Sequence, residues 1–398
     1  MRHYSNFLKA WTDLFANTEV PSNFAVWTGI WLVSSVLRDR VYLPWGARNI
    51  YPNLYVMLIG PSGGGKSYSS GLAIDRLKDL TLIDLYEGGH TKPELLDYLA
   101  TLAQMQTAHH AKPKGLGAHL AFYSDEFAMS VPEGQQGIEF LKAMTLLYDT
   151  GYSHGTRKSS IVSIDRPIIS WLALSTVSWL EQALPANLVA SGFVSRFIAV
   201  KEPLSHTITP VPPKIDQSDL ARLTADLFSI AMLEQEYVVT EEALEQYEYW
   251  YTGARTERLA IGDEIYVNIL GREWEQALKV SMILTACCSD KTEITTAFLD
   301  SACKLAMNAR MSSLETFRTI ATGDRESNIQ EYLYQKIQSE GLISHSLLLR
   351  NSSRVVRGAK MFNEVIDSLL EEESIERVRI QGGRWYKIKQ QSSGGATP

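Results

Sequence analysis

Cysteine is scarce: Cys287, Cys288 and Cys303 are the only three in 398 residues. They cannot build a disulfide framework and their spacing fits no metal-ligand pattern, so a reduced, cytoplasmic protein is expected. Long apolar runs are missing as well. The richest early stretch, Phe24 to Leu37, is about 14 residues, short of the ~20 needed to span a bilayer, and Thr28, Gly29, Ser34 and Ser35 interrupt it. No signal-peptide start precedes it, so no membrane partner is expected. Positive charge is not in surplus: Lys plus Arg is 38 against 45 for Asp plus Glu, a net charge of −7. A chain coated in basic charge is therefore excluded, and any contact with nucleic acid must come from a local basic patch. The 45% apolar and 21% charged composition is that of an ordinary folded chain, long enough for two or three domains.

The patterning divides the chain. Residues 1–40 read as two helices, the first carrying Phe7, Trp11, Leu14 and Phe15 on one stripe. Residues 41–202 alternate strand and helix signals. Strand candidates are Leu54–Ile59, Leu80–Leu85, His119–Tyr123, Ile161–Ile164, Ile168–Leu174 and Phe197–Val200. Thr91 and Glu94 form a capping box that opens a helix. This alternation predicts an α/β core with a mostly parallel sheet. Residues 203–216, with Pro203, Pro210, Pro212 and Pro213, read as a linker. Residues 217–323 read as a helical lid without strands. After Gly323, residues 324–389 show three helix signals and then a hairpin of Ile375–Ile380 and Arg384–Ile388, the pattern of a winged helix. Residues 390–398 are a Ser/Gly tail with nothing to bury, expected to be disordered.

The chemistry concentrates at Gly60-Pro61-Ser62-Gly63-Gly64-Gly65-Lys66-Ser67, a full G-x-x-x-x-G-K-[ST] match between a buried-strand pattern and a helix pattern. Glycines there let successive N–H groups curl around a phosphate, and the helix N-terminus adds its positive end. Lys66 would reach the β and γ phosphates of ATP, Ser67 would ligate Mg²⁺, and Tyr68 follows directly. Asp125 and Glu126 lie at the C-terminal end of the strand candidate His119–Tyr123, where ligands of open α/β sheets bind. Asp125 would help to hold Mg²⁺ and Glu126 would polarise the attacking water. Thr176, after the strand Ile168–Leu174, would contact the terminal phosphate, with Ser175 close behind; Thr176 reads equally well as a helix N-cap. Arg196 sits between apolar neighbours and is costly to bury without an anion. It would serve as an arginine finger on an adjoining subunit's nucleotide, or as a structural arginine paired to a carboxylate. Arg272 opens a lid helix, as a nucleotide contact within its own chain or as an ordinary surface arginine.

Two basic segments are candidates for nucleic acid. His154, Arg157 and Lys158 lie between the acidic pair and the Thr176 strand, where they would contact phosphates or stand on an exposed outer loop. Arg354, Arg357 and Lys360 precede or open the third winged-helix helix, and Arg384 lies on the wing. Glu364, Asp367 and Glu371 on that helix would repel phosphates, so a protein partner is the alternative. Trp27, Trp31, Trp171 and Trp179 read as core, and Tyr247, Tyr249, Trp250 and Tyr251 as lid packing.

Four motifs carry a resemblance over about half the chain: Tyr51-Pro52-Asn53-Leu54-Tyr55, Ser124-Asp125-Glu126, Tyr148-Asp149 and Gly192-Phe193-Val194-Ser195-Arg196-Phe197. With the glycine loop, they resemble an uncharacterised family of P-loop ATPases from phages, plasmids and genomic islands, often beside or fused to primases. The last motif is also similar to the Ser-Arg-Phe finger of minichromosome-maintenance-type helicases. The resemblance implies an AAA+-like ring, most simply a hexamer, with Mg-ATP between subunits, acting as a DNA helicase on single-stranded or forked DNA in mobile-element replication. No primase or zinc motif is present in this sequence, so priming would need a separate primase. Two other functions remain open at this point: a non-unwinding DNA-bound switch such as an initiator, loader or transposition regulator, and a defence or signalling ATPase.

Overall fold

A computed structural model describes residues 2–87, 91–108, 118–149, 155–157, 160–162, 167–184, 188–189, 192–352, 359–372, 374–380 and 382–389. The chain divides into two units, Met1–Ile320 and Ala321–Pro398.

The first unit opens with α1 (Phe7–Asp13) and α2 (Ser22–Leu37). Asn6 caps α1, its side chain accepting the Lys9 N–H at 2.9 Å. α2 is buried almost all round, as expected for a helix without a polar face. Its hydroxyls are satisfied inside: Thr28 donates to the Phe24 carbonyl, Ser35 to that of Trp31 and Ser34 to that of Pro52. An antiparallel hairpin of β1 (Val41–Trp45) and β2 (Arg48–Ile50) follows.

The sheet comes next. Its segments in chain order are β3 (Tyr55–Ile59), α3 (Lys66–Lys78), β4 (Leu85–Glu87), α4 (Lys92–Ala108), β5 (His119–Ser124), α5 (Phe127–Ser130), α6 (Gly134–Tyr148), a small hairpin of β6 (Gly155–Arg157) and β7 (Ser160–Val162), β8 (Ile168–Ser175), α7 (Val177–Ala183) and β9 (Phe197–Lys201). The strand order is β4-β5-β8-β3-β9 and every neighbouring pair is parallel. The chain is thus an α/β protein with a five-stranded all-parallel sheet, consistent with a Rossmann-like or P-loop-like core. β3, β5 and β8 are buried along their whole lengths, which is why their sequences are continuous apolar runs rather than alternating ones. At their centre Trp171 stacks on Phe122 at 4.9 Å and meets Tyr55 and Phe197 at 5.5 and 5.0 Å. Its indole N–H donates to Ser124 Oγ at 2.9 Å. Where a strand was expected over Leu80–Leu85, only Leu85–Glu87 pairs, at the sheet edge, where one neighbour suffices. At Thr91 the Glu94 side chain reaches back as a capping box requires, accepting both the Thr91 N–H and its hydroxyl.

Beyond β9 come α8 (Gln217–Ala231), β10 (Gln235–Glu236), β11 (Val238–Val239), α9 (Glu241–Ala260), α10 (Glu264–Cys288), β12 (Glu293–Ile294) and α11 (Thr296–Glu340). The expectation of a strandless region is corrected here: β10 pairs parallel with β1, and β11 with β12. Two-residue strands are too short to leave an alternation to read. α8 and α10 share one hydrophobic cluster with α1, α2 and the sheet, joining Leu227, Leu278 and Ile283 to Trp11, Trp31 and Leu172. α11 runs through Gly323, where the sequence suggested a restart; one glycine in a helix interior costs about 1 kcal/mol, too little to end it. Trp27, Trp31 and Trp171 are core, whereas Trp179 is 43% exposed and Tyr249 86% exposed.

The second unit contains the end of α11, β13 (Ile343–Ser344), α12 (His345–Ser352), α13 (Ala359–Glu371), β14 (Ile375–Ile380) and β15 (Gly383–Ile388). Its antiparallel sheet has the order β13-β15-β14. Leu333, Ile337, Leu348, Phe362, Ile366 and Tyr386 form a separate core. The hairpin reverses at Gly382, which has φ +78°. The tail 390–398 lies outside the described residues. Among the described residues, no helix is long and apolar enough to cross a membrane.

Candidate functional site: the glycine loop and the acidic strand end

The loop between β3 and α3 owes its shape to glycine. Gly63 and Gly65 take φ of +75° and +83°, and a Cβ on Gly60 would lie 2.9 Å from the Glu202 carbonyl oxygen. Gly64 donates its N–H to the Pro61 carbonyl at 3.1 Å, closing the turn. α3 starts on Gly65 with no side-chain cap and no acidic residue in its first turn. Its leading N–H groups and positive dipole end are therefore open to an anion, the donor set a phosphate requires. Pro61, Ser62 and Ser67 are exposed at the rim. Tyr68 is half-exposed, edge-on to Phe15.

Lys66 folds back over the loop, its Nζ donating to the Gly60 and Pro61 carbonyls at 2.6 and 2.8 Å. Burial lowers its pKa, and the nearby Glu126 charge opposes that. An arriving anion would give this ammonium a better partner than two neutral carbonyls.

Sheet register brings the acids to the same edge. Ser124 pairs with Ala173, which pairs with Met57, and Ser175 pairs with Ile59. Asp125 and Glu126 are thus level with the start of the glycine loop. Ser175 joins the two: its Oγ donates to Glu126 Oε1 at 2.7 Å, and its carbonyl accepts the Gly60 N–H at 3.2 Å. Thr176 instead caps α7, accepting the Trp179 N–H at 3.3 Å. Of the two hydroxyls the sequence offered, Ser175 is the one that meets the acid, because alternate residues of a strand point to opposite sides.

Asp125 is exposed and oriented from below. Tyr123 donates its hydroxyl to Asp125 Oδ1 at 2.9 Å, and Ser70 of α3 contacts the same hydroxyl at 3.1 Å. Burial pushes the Tyr123 phenol well above its usual range, so it keeps its proton and acts as donor. This Ser70–Tyr123–Asp125 chain escaped the sequence reading. Its one visible sign was that Tyr123 lies two positions before Asp125, on the same strand face. A cleft of about 520 Å³ opens alongside, lined by Gly71, Ile74, Tyr123, Asp125, Glu126 and Met129. A larger cleft of about 830 Å³, lined by Trp27, Lys201 and Tyr266, includes none of the predicted site residues. Among the described residues no group of three His, Cys, Asp or Glu side chains could hold a metal ion by itself. A cation at the loop would rest on Ser67, Asp125 and the anion.

The two arginine candidates lie elsewhere. Phe197 pairs with Tyr55 at the start of β3, so Arg196 sits at the N-terminal edge of the sheet, about 20 Å along the strands from the start of the glycine loop. There Arg196 Nη2 bonds Asp149 Oδ2 at 2.5 Å, and its Nη1 donates to the Gly192 carbonyl at 2.8 Å. Arg272 joins the same carboxylate, Nη1 to Oδ1 at 2.6 Å and Nη2 to Oδ2 at 3.1 Å. Asp149 thus holds Arg272 beside Arg196, at the sheet edge away from the glycine loop. Burial alone would raise the Asp149 carboxyl, but hydrogen bonds from Arg272 and Arg196 outweigh it and keep it below its ordinary range.

Of the nucleic-acid candidates, Arg157 ends β6, which pairs with β7 in the register Arg157 to Ser160. His154, Lys158, Arg354 and Arg357 lie outside the described residues, as does the side chain of Lys360, which falls within α13. Arg384 is exposed on β15, directly opposite Arg379. No protein-family model matches this chain, and no curated protein matches it.

Proposed function

We propose that the chain is a Mg-ATP hydrolase of the AAA+-like P-loop type, which assembles as a ring and moves DNA, as a helicase of mobile-element replication would. One observation carries the ATPase reading: the glycine loop and Lys66 share one sheet edge with Glu126, and Ser175 links that acid to the loop through both its hydroxyl and its carbonyl. Residues 60–68 would bind the phosphates, and Ser67 and Asp125 would hold Mg²⁺. The ion's charge would draw electron density from the phosphate oxygens. Glu126 accepts a proton from water as that oxygen bonds the terminal phosphorus, and the bond to the ADP oxygen breaks.

Four features support the finer reading. The extra strand β8 lies between the loop strand β3 and the acid strand β5. The β6–β7 hairpin occupies the stretch between β5 and β8, from which ring helicases project pore loops. Residues 329–388 have the helix and strand order of a winged helix. Arg196 faces away from its own loop, as a residue serving a neighbour's nucleotide must.

The test is phosphate release from ATP by purified protein, with and without single-stranded DNA, followed by strand displacement on a fork. Lys66→Ala should abolish it. A folded, ATP-saturated wild-type protein that releases no phosphate would end the ATPase reading, and turnover without strand displacement would end the helicase reading.

A further inference from the structure

Among the described residues the most exposed large apolar side chains are Tyr249, Ile208 and Val211, at 86%, 84% and 83%. Ile208 and Val211 belong to residues 203–215, which join β9 to α8 without helix or strand. That is long for a connection in a packed domain. Within it no backbone group bonds another among the described residues. It is stiff all the same. Pro210, Pro212 and Pro213 fix their own φ angles, and the Thr209 N–H is tied to Glu19 Oε1 at 2.9 Å. The chain bends at Pro210 and Val211, so this bow holds two branched apolar groups out in water. A segment that only joined two elements would carry polar groups there; neighbouring exposed apolar groups mark a contact surface.

Tyr249 lies on α9. Glu245 is exposed one turn before it, and Glu248 is exposed beside it. Of the acids on α9, Glu257 alone is in an ion pair among the described residues. The helix dipole favours Glu241 and Glu242 in the first turn but fades beyond it. Glu245 and Glu248 gain little from it and repel each other at i, i+3. The bow carries the opposite charge: it has His206 and Lys214 and no acid. Lys214 is exposed and in no ion pair among the described residues.

We propose that residues 203–215 dock on the Tyr249 face of α9 in a second copy of the chain, with Ile208 and Val211 against the ring and Lys214 toward Glu245. The surfaces match in kind, aliphatic groups against a broad ring and positive charge against negative. Both stay exposed in a single copy, so neither covers the other there. A bow already stiffened by proline loses little freedom on docking. The two patches differ, so the contact is head-to-tail, and a head-to-tail contact repeats around a ring. The proposal rests on the ring assembly of the reading above and not on hydrolysis; it gives that ring a contact that nucleotide does not supply.

The experiment measures the protein concentration for half-assembly of the full chain by sedimentation in Mg-ATP, with thermal melts to show that each variant is folded. Val211→Ser and Tyr249→Ser should each raise that concentration about tenfold. The double variant should raise it little further, because both lose one contact. Lys214→Glu should raise it several-fold, and Glu245→Lys in the same chain should bring it back toward the parent value. Unchanged assembly in either serine variant leaves these surfaces to another protein and overturns the second copy as occupant. A double variant showing the product of the two effects places the side chains in separate contacts and overturns the docking. If Tyr249→Ser melts early, the charge exchange decides: failure of Glu245→Lys to restore Lys214→Glu overturns the proposal. Wild-type protein that stays monomeric sinks the ring reading and this contact together; wild-type assembly that ignores every variant sinks the contact alone.

Discussion

Ser175 Oγ donates to Glu126 Oε1 at 2.7 Å, linking the ends of two adjacent strands at the edge where the glycine loop begins. A serine in that position aims the carboxylate. On the ATPase reading, Ser175→Ala should lower kcat on the order of tenfold to a hundredfold with KM for ATP little changed. Thr176→Ala, one residue on, should cost about 1 kcal/mol of stability through the lost cap of α7 and leave turnover near normal. Paired ATPase kinetics and thermal melts check both. A turnover loss at Thr176 with none at Ser175 would reverse the two roles.

The loop glycines separate strain from collision. At Gly63, φ is +75° and an added Cβ meets nothing within 4 Å, so Gly63→Ala should cost only left-handed backbone strain, about 1–2 kcal/mol. At Gly65, φ is +83° and the Cβ would also lie 3.0 Å from Val20 Cα. Gly65→Ala should therefore be the more destabilising, and it should also lose nucleotide binding by shifting the start of α3. Denaturant unfolding and nucleotide titration of the two variants are the measurement; equal costs would contradict the packing at Val20.

Tyr123 offers a test through the metal. Tyr123→Phe removes the hydroxyl between Ser70 and Asp125. On the ATPase reading, the Mg²⁺ concentration for half-maximal turnover should rise several-fold, with nucleotide affinity in the absence of metal unchanged. An unaltered metal dependence would show that Asp125 needs no such support.

Glu273 makes stability depend on pH. Its side chain is 2% exposed, and burial pushes its carboxyl from the usual 4.5 up to about 7, with Arg310 only partly offsetting this. Between those two values the folded protein holds a proton that the unfolded chain has released. The contribution is therefore full below about pH 4.5 and is lost as pH rises to about 7, a change on the order of 3 kcal/mol. Glu273→Gln should melt higher than wild type at pH 8, with the gap closing toward pH 5. A gap independent of pH would show that Glu273 is not the titrating group.

On the wing, Arg379 and Arg384 are directly opposed across β14 and β15, and neither is in an ion pair among the described residues. Like charges facing each other weaken a hairpin unless an anion lies over them. Arg384→Glu should stabilise the second unit by about 0.2–1 kcal/mol and, on the proposed reading of DNA binding, weaken that binding and reduce its salt slope. Improved stability with unchanged DNA affinity would point to a protein partner for this surface.

Local chemistry already spelled out in the chain made much of this legible. The glycine-lysine loop, the apolar runs of β3, β5 and β8, the Thr91 capping box and the acid pair at the end of β5 depend on neighbours in sequence, so composition and spacing reveal them. Strand order, and with it the meeting of Ser175 with Glu126, comes from long-range pairing that no local pattern encodes. So does the convergence of Arg196 and Arg272 on Asp149, from segments 47 and 123 residues away. Each of those side chains is an ordinary polar residue in its own stretch of chain; only folding withdraws them from water together, and that shared desolvation turns them into a site.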